Sequence, residues 1–188
     1  MATGGTPGLA LFIAAWVVAV VAWFLGLLET IAMARFVPAV YHLGPCVLRE
    51  PATVSGPIWP PRSARAVETP SGRARILGPT ECLFRPRLFH FGVHTPLPLK
   101  GVLRWRGARA EVECRLPLGS LIFLAAWLVG WTVAATMLVS QDDPLLGVGF
   151  LVGGWAFTGA LSWFSLWFER RRARRIVAEL DGALATAA

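Results

Sequence analysis

Residues 144–175 of the chain read PLLGVGFLVGGWAFTGALSWFSLWFERRRARR. The first 25 of these residues carry no charge, and five arginines then follow within six positions. A helix needs roughly 20 mostly apolar residues to span a bilayer, and arginine is costly to move through hydrocarbon. The stretch therefore predicts a membrane-spanning helix over 144–168 that the arginines anchor at one membrane surface.

Two further stretches, 8–28 and 117–139, are also uncharged and long enough to span a bilayer. Charged residues make up 15% of the chain, against about 25% in average soluble domains. Ala32-Met33-Ala34 has the form of a signal-peptide cleavage site, but the leader lacks a positive segment and the apolar run is longer than usual. We therefore expect three membrane helices, the first of them uncleaved.

The distribution of lysine and arginine predicts the orientation, because these residues mark the cytoplasmic side in short flanking segments. Residues 1–34 and the loop 140–143 contain none, residues 35–116 contain thirteen, and five follow in the tail. We therefore expect a multi-pass protein of the inner (plasma) membrane. Its N-terminus would lie outside, and its middle region and C-terminus in the cytoplasm.

The middle region is rich in proline, which disfavours long helices: twelve of the fourteen prolines lie between Pro38 and Pro117. Residues 109–116 alternate apolar and charged side chains, as in a strand with one wet face that carries Glu111 and Glu113. Turns at Arg106-Gly107 and at 69–72 would close two hairpins. The predicted strands cover 46–54, 64–68, 73–77, 82–91, 102–105 and 109–116.

These patterns predict a membrane α+β fold: three transmembrane helices with a small antiparallel β-domain, a barrel or sandwich, inserted between helices 1 and 2. We expect the β-domain to be held against the inner membrane face by a helix at each end. The predicted domains are an N-terminal transmembrane helix (1–35), a cytoplasmic β-rich domain (36–116), a transmembrane helical hairpin (117–168) and a basic cytoplasmic tail (169–188).

The arginine cluster of the tail consists of Arg170, Arg171, Arg172, Arg174 and Arg175. Membrane anchoring alone would explain this cluster. A second interpretation is binding of anionic lipid headgroups or of a partner, because cations near a membrane surface attract such headgroups. The loop arginines that would contribute to such binding are Arg85, Arg87, Arg104 and Arg106. We expect no nucleic-acid binding, since no RNA- or DNA-binding motif accompanies the basic residues.

Two residue pairs have a spacing that would suit a metal ion: His42 with Cys46, and His90 with His94. Residues four apart share one face of a strand, but neither pair matches a zinc motif. We therefore expect surface histidines and buried thiols, with Cys114 in the core, and neither a metal nor a cofactor. No GxSxG, HExxH, P-loop or dinucleotide-binding fingerprint is present, so we expect no enzyme.

Small residues recur every four positions in the second and third apolar stretches, at Ala126, Gly130 and Ala134 and at Gly149 and Gly153. This spacing lets helices approach closely. The loop between these stretches has only four residues, so helices 2 and 3 are expected to form a tight hairpin. Contact with another subunit is the alternative use of the same residues.

Trp127, Trp131 and Trp155 lie deeper in these stretches than the membrane interface that tryptophan prefers. We expect them to contact helix 1, a partner, or a cofactor held by another protein.

The sequence thus favours a non-enzymatic integral membrane protein that serves as a small accessory or scaffold subunit of a membrane protein assembly. Its expected partners are membrane lipids and other membrane subunits, or a second copy of itself. One alternative is a membrane-apposed β-domain that binds anionic lipid or a cytoplasmic peptide. The other is a metal- or thiol-dependent membrane enzyme.

Overall fold

The structure, a computed structural model, describes residues 6–54, 66–87, 95, 97–107, 109–140 and 144–186. This part of the chain forms four helices and six strands, which confirms the α+β class. The helices are α1 (Thr6–Ala34), α2 (Pro38–His42), α3 (Leu118–Val139) and α4 (Pro144–Thr186). The strands are β1 (Cys46–Ala52), β2 (Ala66–Glu68), β3 (Gly72–Gly78), β4 (Glu81–Pro86), β5 (Lys100–Arg106) and β6 (Arg109–Arg115).

Three of the helices are long and apolar enough to cross a membrane, over Pro7–Ala34, Leu118–Val139 and Pro144–Ala183. They coincide with the three predicted stretches, whereas the orientation of the chain in a membrane stays a prediction. α4 is 43 residues long and runs without a break from the apolar stretch through the arginine cluster. The basic tail is therefore the continuation of a helix.

The chain divides into two compact units. The membrane-helix unit comprises Met1–Leu28 and Gly119–Phe164, and the sheet unit comprises Glu29–Leu118 and Ser165–Ala188. α1 and α4 each contribute residues to both units. The sheet unit thus contains the predicted β-domain together with the predicted basic tail.

The six strands form one antiparallel sheet in the order β1-β6-β5-β4-β3-β2. Both predicted hairpins are present: β5 and β6 turn at Gly107, whose φ of +64° glycine adopts readily, and β2 and β3 turn where Thr69 and Gly72 exchange backbone hydrogen bonds. The predicted strand residues 64–65 and 88–91 lie outside the described part of the chain. Closure into a barrel, or pairing with a second sheet, stays a prediction.

The strand register gives the sheet one apolar face. Ile76, Cys82, Leu103 and Val112 lie side by side on β3, β4, β5 and β6, and all four are buried. The second half of α4 lies on this face: the side chain of Ile176 occupies the space above Gly72. Two further α4 residues, Ala173 and Leu180, are buried with it.

The opposite, charged face carries most of the charged residues of the sheet, yet its centre is apolar. There Leu83 and Val102 pair across β4 and β5 and pack with Met33 and Tyr41 in a buried cluster. The hydroxyl of Tyr41 donates a 2.9 Å hydrogen bond to the carbonyl of Met33. The end of α1 and the short helix α2 therefore cover the centre of the charged face.

Gly101 provides space for a buried ring, and this supplies a test of the sheet. A Cβ at Gly101 would overlap the ring of Phe84, whereas a Cβ at Gly78 would meet nothing within 4 Å. Overpacking a core costs about 1–3 kcal/mol. We expect Gly101→Ala to lower the Tm of the purified chain clearly, and Gly78→Ala to leave it nearly unchanged. Circular dichroism on heating in detergent measures both, and equal Tm values would contradict this packing.

Candidate functional site

Glu113 lies at the centre of a charge network on the charged face, with a side chain that is only 2% exposed. Arg49 donates to Oε1 of its carboxylate, with its Nε at 3.1 Å. Arg104 and Arg115 donate to Oε2 at 3.5 and 3.4 Å. The sequence predicts a solvent-exposed side chain for Glu113. This prediction is wrong, because arginines from three strands cover the side chain.

The same arginines keep this carboxylate ionised. Burial alone would raise the pKa of Glu113, but the hydrogen bonds and charges of Arg49, Arg104 and Arg115 outweigh burial and hold the pKa below its usual value. Since these arginines lie on β1, β5 and β6, the ionised carboxylate ties three neighbouring strands together.

The charge network extends to His42. With Cys46, this residue forms the one predicted metal-binding pair that lies within the described residues. Arg104 donates to Glu81 at 3.2 Å, and its Nη2 lies 3.2 Å from Nδ1 of His42. Nε2 of His42 lies 3.5 Å from Glu81. Cys46 is exposed, so the prediction of a buried thiol is wrong for this cysteine, and its thiol donates to the carbonyl of Leu48 at 3.3 Å. His42 is thus occupied by an arginine and a carboxylate, and a neighbouring cation disfavours binding of a metal ion.

No group of three or more His, Cys, Asp or Glu residues that could hold a metal ion occurs in the described part of the chain. His90 and His94 lie outside that part. Cys82 and Cys114 are buried, and burial raises the pKa of both thiols to about 12. Because the thiolate is the reactive form, these two cysteines are unreactive core residues at neutral pH.

Three of the five tail arginines bind the sheet. Their acceptors lie on or next to the strands: Arg170 donates to Val47 O at 2.9 Å, Arg172 to Arg87 O at 2.6 Å, and Arg174 to Glu50 at 2.5 and 3.0 Å. Val47 lies where the register of edge strand β1 shifts by a bulge. These contacts attach α4 to the sheet edge.

The other two arginines interact with residues of α4 itself, Arg171 with Trp167 and Arg175 with Glu179. Arg171 is exposed, and its guanidinium lies 4.1 Å from the ring centroid of Trp167. Arg175 is exposed as well. The predicted lipid- or partner-binding cluster is therefore divided between structural contacts and two outward-facing cations.

Two acidic residues of α4 add contacts further along the sheet unit. Glu179 accepts hydrogen bonds from the backbone N–H of Ser71 at 2.9 Å and from its hydroxyl at 2.6 Å. Glu169 is 1% exposed and accepts from the hydroxyl of Thr95 at 2.6 Å and from the N–H of Leu99 at 3.4 Å. Nothing in the sequence pattern indicated these contacts, which join residues far apart in the chain.

Arg85, one of the predicted loop arginines, is buried at the end of α1. It donates to the carbonyl of Ala34 at 3.4 Å and lies 5.2 Å from the centroid of the Phe36 ring. Phe36 has a φ of +55°, and the N–H groups after α1 bond back to its last turn in the pattern of a left-handed helix end. Burial lowers the pKa of Arg85. Arg85 therefore supports a helix terminus, where a cation is favoured.

The remaining loop arginines have separate positions. Arg87 lies 3.9 Å from Glu68. Arg106 is exposed and pairs with Arg109 across the β5–β6 hairpin. At the other end of β5, the fully buried Lys100 forms an ion pair with Glu29 of α1. The structure does not bring the four predicted loop arginines together in one cluster.

In the membrane-helix unit, the small residues of α3 face α1. Gly130 lies against Ala15 of α1, where an added Cβ would come within 3.6 Å of the Ala15 Cβ. α3 meets α4 elsewhere: a Cβ at Gly154 would overlap the indole of Trp131. Gly149 and Gly153 are exposed and have no atom within 4 Å of the Cβ position. For these two glycines, contact with another subunit remains the open interpretation.

Two of the deep tryptophans join α3 and α4 by hydrogen bonds. The indole N–H of Trp131 donates to the carbonyl of Phe150 at 2.7 Å, and that of Trp155 to the hydroxyl of Thr132 at 3.1 Å. Trp127 packs edge-on against Trp16 of α1, with centroids 5.5 Å apart. Contact with helix 1, one of the predicted roles, is thus present for Trp127.

No known protein family, characterised protein or solved structure matches this chain. Its function is therefore inferred from its residues and their geometry.

The charge network predicts that Glu113→Gln is destabilising, because the variant removes the buried carboxylate that Arg49, Arg104 and Arg115 share. Hydrogen bonds to charged groups contribute about 1.5–3 kcal/mol, so a clear drop in Tm is expected near neutral pH. Glu111→Gln is the matched control: Glu111 lies on the same strand, is 30% exposed and pairs with Arg49. Its loss should cost less than about 1 kcal/mol. Equal Tm values for the two variants would contradict the central role of Glu113.

The lowered pKa of Glu113 also determines how the destabilisation by Glu113→Gln depends on pH. A carboxylate with a depressed folded-state pKa stabilises the protein above its unfolded-state pKa, about 4.3, and the stabilisation is lost as pH falls through the folded-state value. The Tm difference between wild type and Glu113→Gln should therefore narrow in acid. A difference that stays constant on acidification would contradict the assignment.

Proposed function

We propose that this chain is a non-enzymatic integral membrane protein that acts as an accessory or scaffold subunit of a membrane protein assembly. The membrane-helix unit would bind another membrane helix, and the sheet unit would form the cytoplasmic part of the subunit. The N-terminus would lie outside and α4 would end in the cytoplasm, as the distribution of arginine and lysine favours.

The observation that carries this proposal is the outward face of α4. Gly149, Gly153, Ala156 and Ala160 are all exposed and recur at helical spacing along one side of this helix. The opposite side of α4 carries Gly154, which packs against α3. A continuous line of small residues lets a second helix approach closely within a bilayer.

The charged residues support a structural role. Glu81, Glu111 and Glu113 form ion pairs with Arg49, Arg104 and Arg115, and the tail arginines Arg170 and Arg174 bind the sheet. The buried thiols Cys82 and Cys114 stay protonated at neutral pH. These described polar groups of the sheet unit thus help to hold it together.

The test is the double variant Gly149→Leu/Gly153→Leu, captured from native membranes in mild detergent and analysed by mass spectrometry. We expect wild type to bring down a stoichiometric membrane protein or a second copy of itself, and the variant to lose it because leucine blocks close helix approach. Gly159→Leu is the control, since Gly159 is exposed, has nothing within 4 Å and lies off the line. A wild type that is captured alone, or a double variant that retains the partner, would overturn the proposal.

A second candidate function, recognition of anionic lipid headgroups, is favoured by Arg171 and Arg175. Both are exposed, and Arg171 packs on Trp167, a residue type enriched at membrane interfaces. They follow directly on the apolar stretch of α4. Such positions place cations where headgroup phosphates would be.

Removing both charges tests the lipid proposal. Each cation near an anionic surface contributes about 1 kcal/mol, so Arg171→Gln/Arg175→Gln should retain clearly less phosphatidylglycerol than wild type in native mass spectrometry. Arg106→Gln/Arg109→Gln makes the same change in net charge at the β5–β6 hairpin. Equal lipid loss in the two double variants would show a general effect of charge and exclude a headgroup site on α4.

A further inference from the structure

A partly open cavity of about 120 Å³ lies among the three helices of the membrane-helix unit. It lies between α1 and α3, with Phe150 of α4 at one side. The residues that line it are Phe12, Ala15, Trp16, Ala19, Ala126, Trp127, Gly130, Trp131, Ala134 and Phe150. Every one of these side chains is apolar or an indole.

The wall of the cavity is a series of aromatic rings in contact. Trp16 meets Trp127 edge-on at 5.5 Å, Trp127 lies 5.6 Å from Trp131, and Trp131 stacks on Phe150 at 4.1 Å with a 7° interplanar angle. The indole N–H of Trp131 is already bonded to the carbonyl of Phe150. That tryptophan therefore presents ring carbon to the cavity and no free donor.

The other wall of the cavity consists of alanine and glycine. Their small size accounts for the volume of the cavity. Ala126, Gly130 and Ala134 recur every four residues on α3, opposite Ala15 and Ala19 of α1. Such residues bring two membrane helices into contact, as Gly130 and Ala15 do here. Because these residues are small, the volume beside the tryptophans is left unfilled.

We infer that this cavity is a binding site for a flat, non-polar ring carried by a membrane-soluble molecule. An apolar lining offers no partner to an ion, a sugar or a lipid headgroup, all of which would lose hydrogen bonds on entry. An apolar cavity of roughly 150 Å³ in another protein accommodates benzene, so the volume here suits one ring. The side chain of Trp16 is 42% exposed, which leaves a side along which the rest of the molecule extends.

A ring fits this site better than a lipid acyl chain. Aromatic faces and edges gain energy from ring partners beyond that of area alone. A rigid ring also loses less conformational freedom on binding than a flexible chain does. The inference concerns a small molecule and does not depend on whether α4 binds another subunit.

The test uses two brominated probes that quench tryptophan fluorescence on contact, bromobenzene as the ring and 1-bromohexane as the chain. Each is titrated into the purified full-length chain in detergent. We expect saturable quenching by the ring probe, with an apparent affinity about 2- to 12-fold higher than that of the chain probe. Quenching that rises linearly without saturation in wild type, or equal affinity for the two probes, would overturn the proposal.

Filling the cavity supplies the matched comparison. Ala134→Leu places a larger side chain in the lining, and Ala125→Leu makes the same change at an exposed position of the same helix outside the lining. The ring probe should lose about tenfold in affinity for the first variant and bind the second as it binds wild type. Circular dichroism checks that both variants are helical, and Gly130→Ala replaces Ala134→Leu if that variant does not fold. Unchanged affinity in a folded cavity variant would contradict the site.

Discussion

The packing of the second half of α4 on the apolar face of the sheet is the interaction on which the sheet unit depends. Ile176 lies over Gly72, Arg174 binds Glu50 on the edge strand β1, and Glu179 binds the turn between β2 and β3. One helix therefore contacts both ends of a six-stranded sheet. The arginines that follow directly on the third apolar stretch therefore have acceptors on the sheet, such as Val47 O and Glu50.

Ion pairs within the protein neutralise part of the positive charge that its composition indicates. The formal net charge is +7, yet Glu113 is enclosed by three arginines, and Glu29 neutralises the buried Lys100. Several cations are nevertheless exposed, among them Arg171 and Arg175 on α4 and Arg106 and Arg109 at the β5–β6 hairpin. Electrostatic attraction of a partner would involve such positions.

Several elements were predictable from sequence because they depend on local periodicity. Uncharged stretches of 20 or more residues predict the long helices, and alternation around Gly107 predicts the β5–β6 hairpin. The alternation of apolar and charged residues along β6 could not show that Glu113 is buried. Arg49, which covers its side chain, lies 64 residues away in the sequence. Similarly, the four-residue spacing identified Gly153 as a helix-packing residue. In the structure it is the neighbouring Gly154 that packs against Trp131 of α3. The aromatic cavity needs three helices and has no counterpart in any single stretch.

The continuity of α4 has a consequence for the order in which the chain is made. The strands are complete once residue 115 has been synthesised, but the helix segment that covers their apolar face follows only after two more apolar stretches. At ribosomal rates of about 5–20 residues per second, synthesis of the chain from residue 115 to the end of α4 takes about 4–14 seconds. The apolar face of the sheet stays uncovered during this time. During that interval it lacks Ile176, which packs over Gly72. A ribosome that stalls within α4 would therefore leave a chain with an uncovered sheet, a substrate for chaperones and proteases.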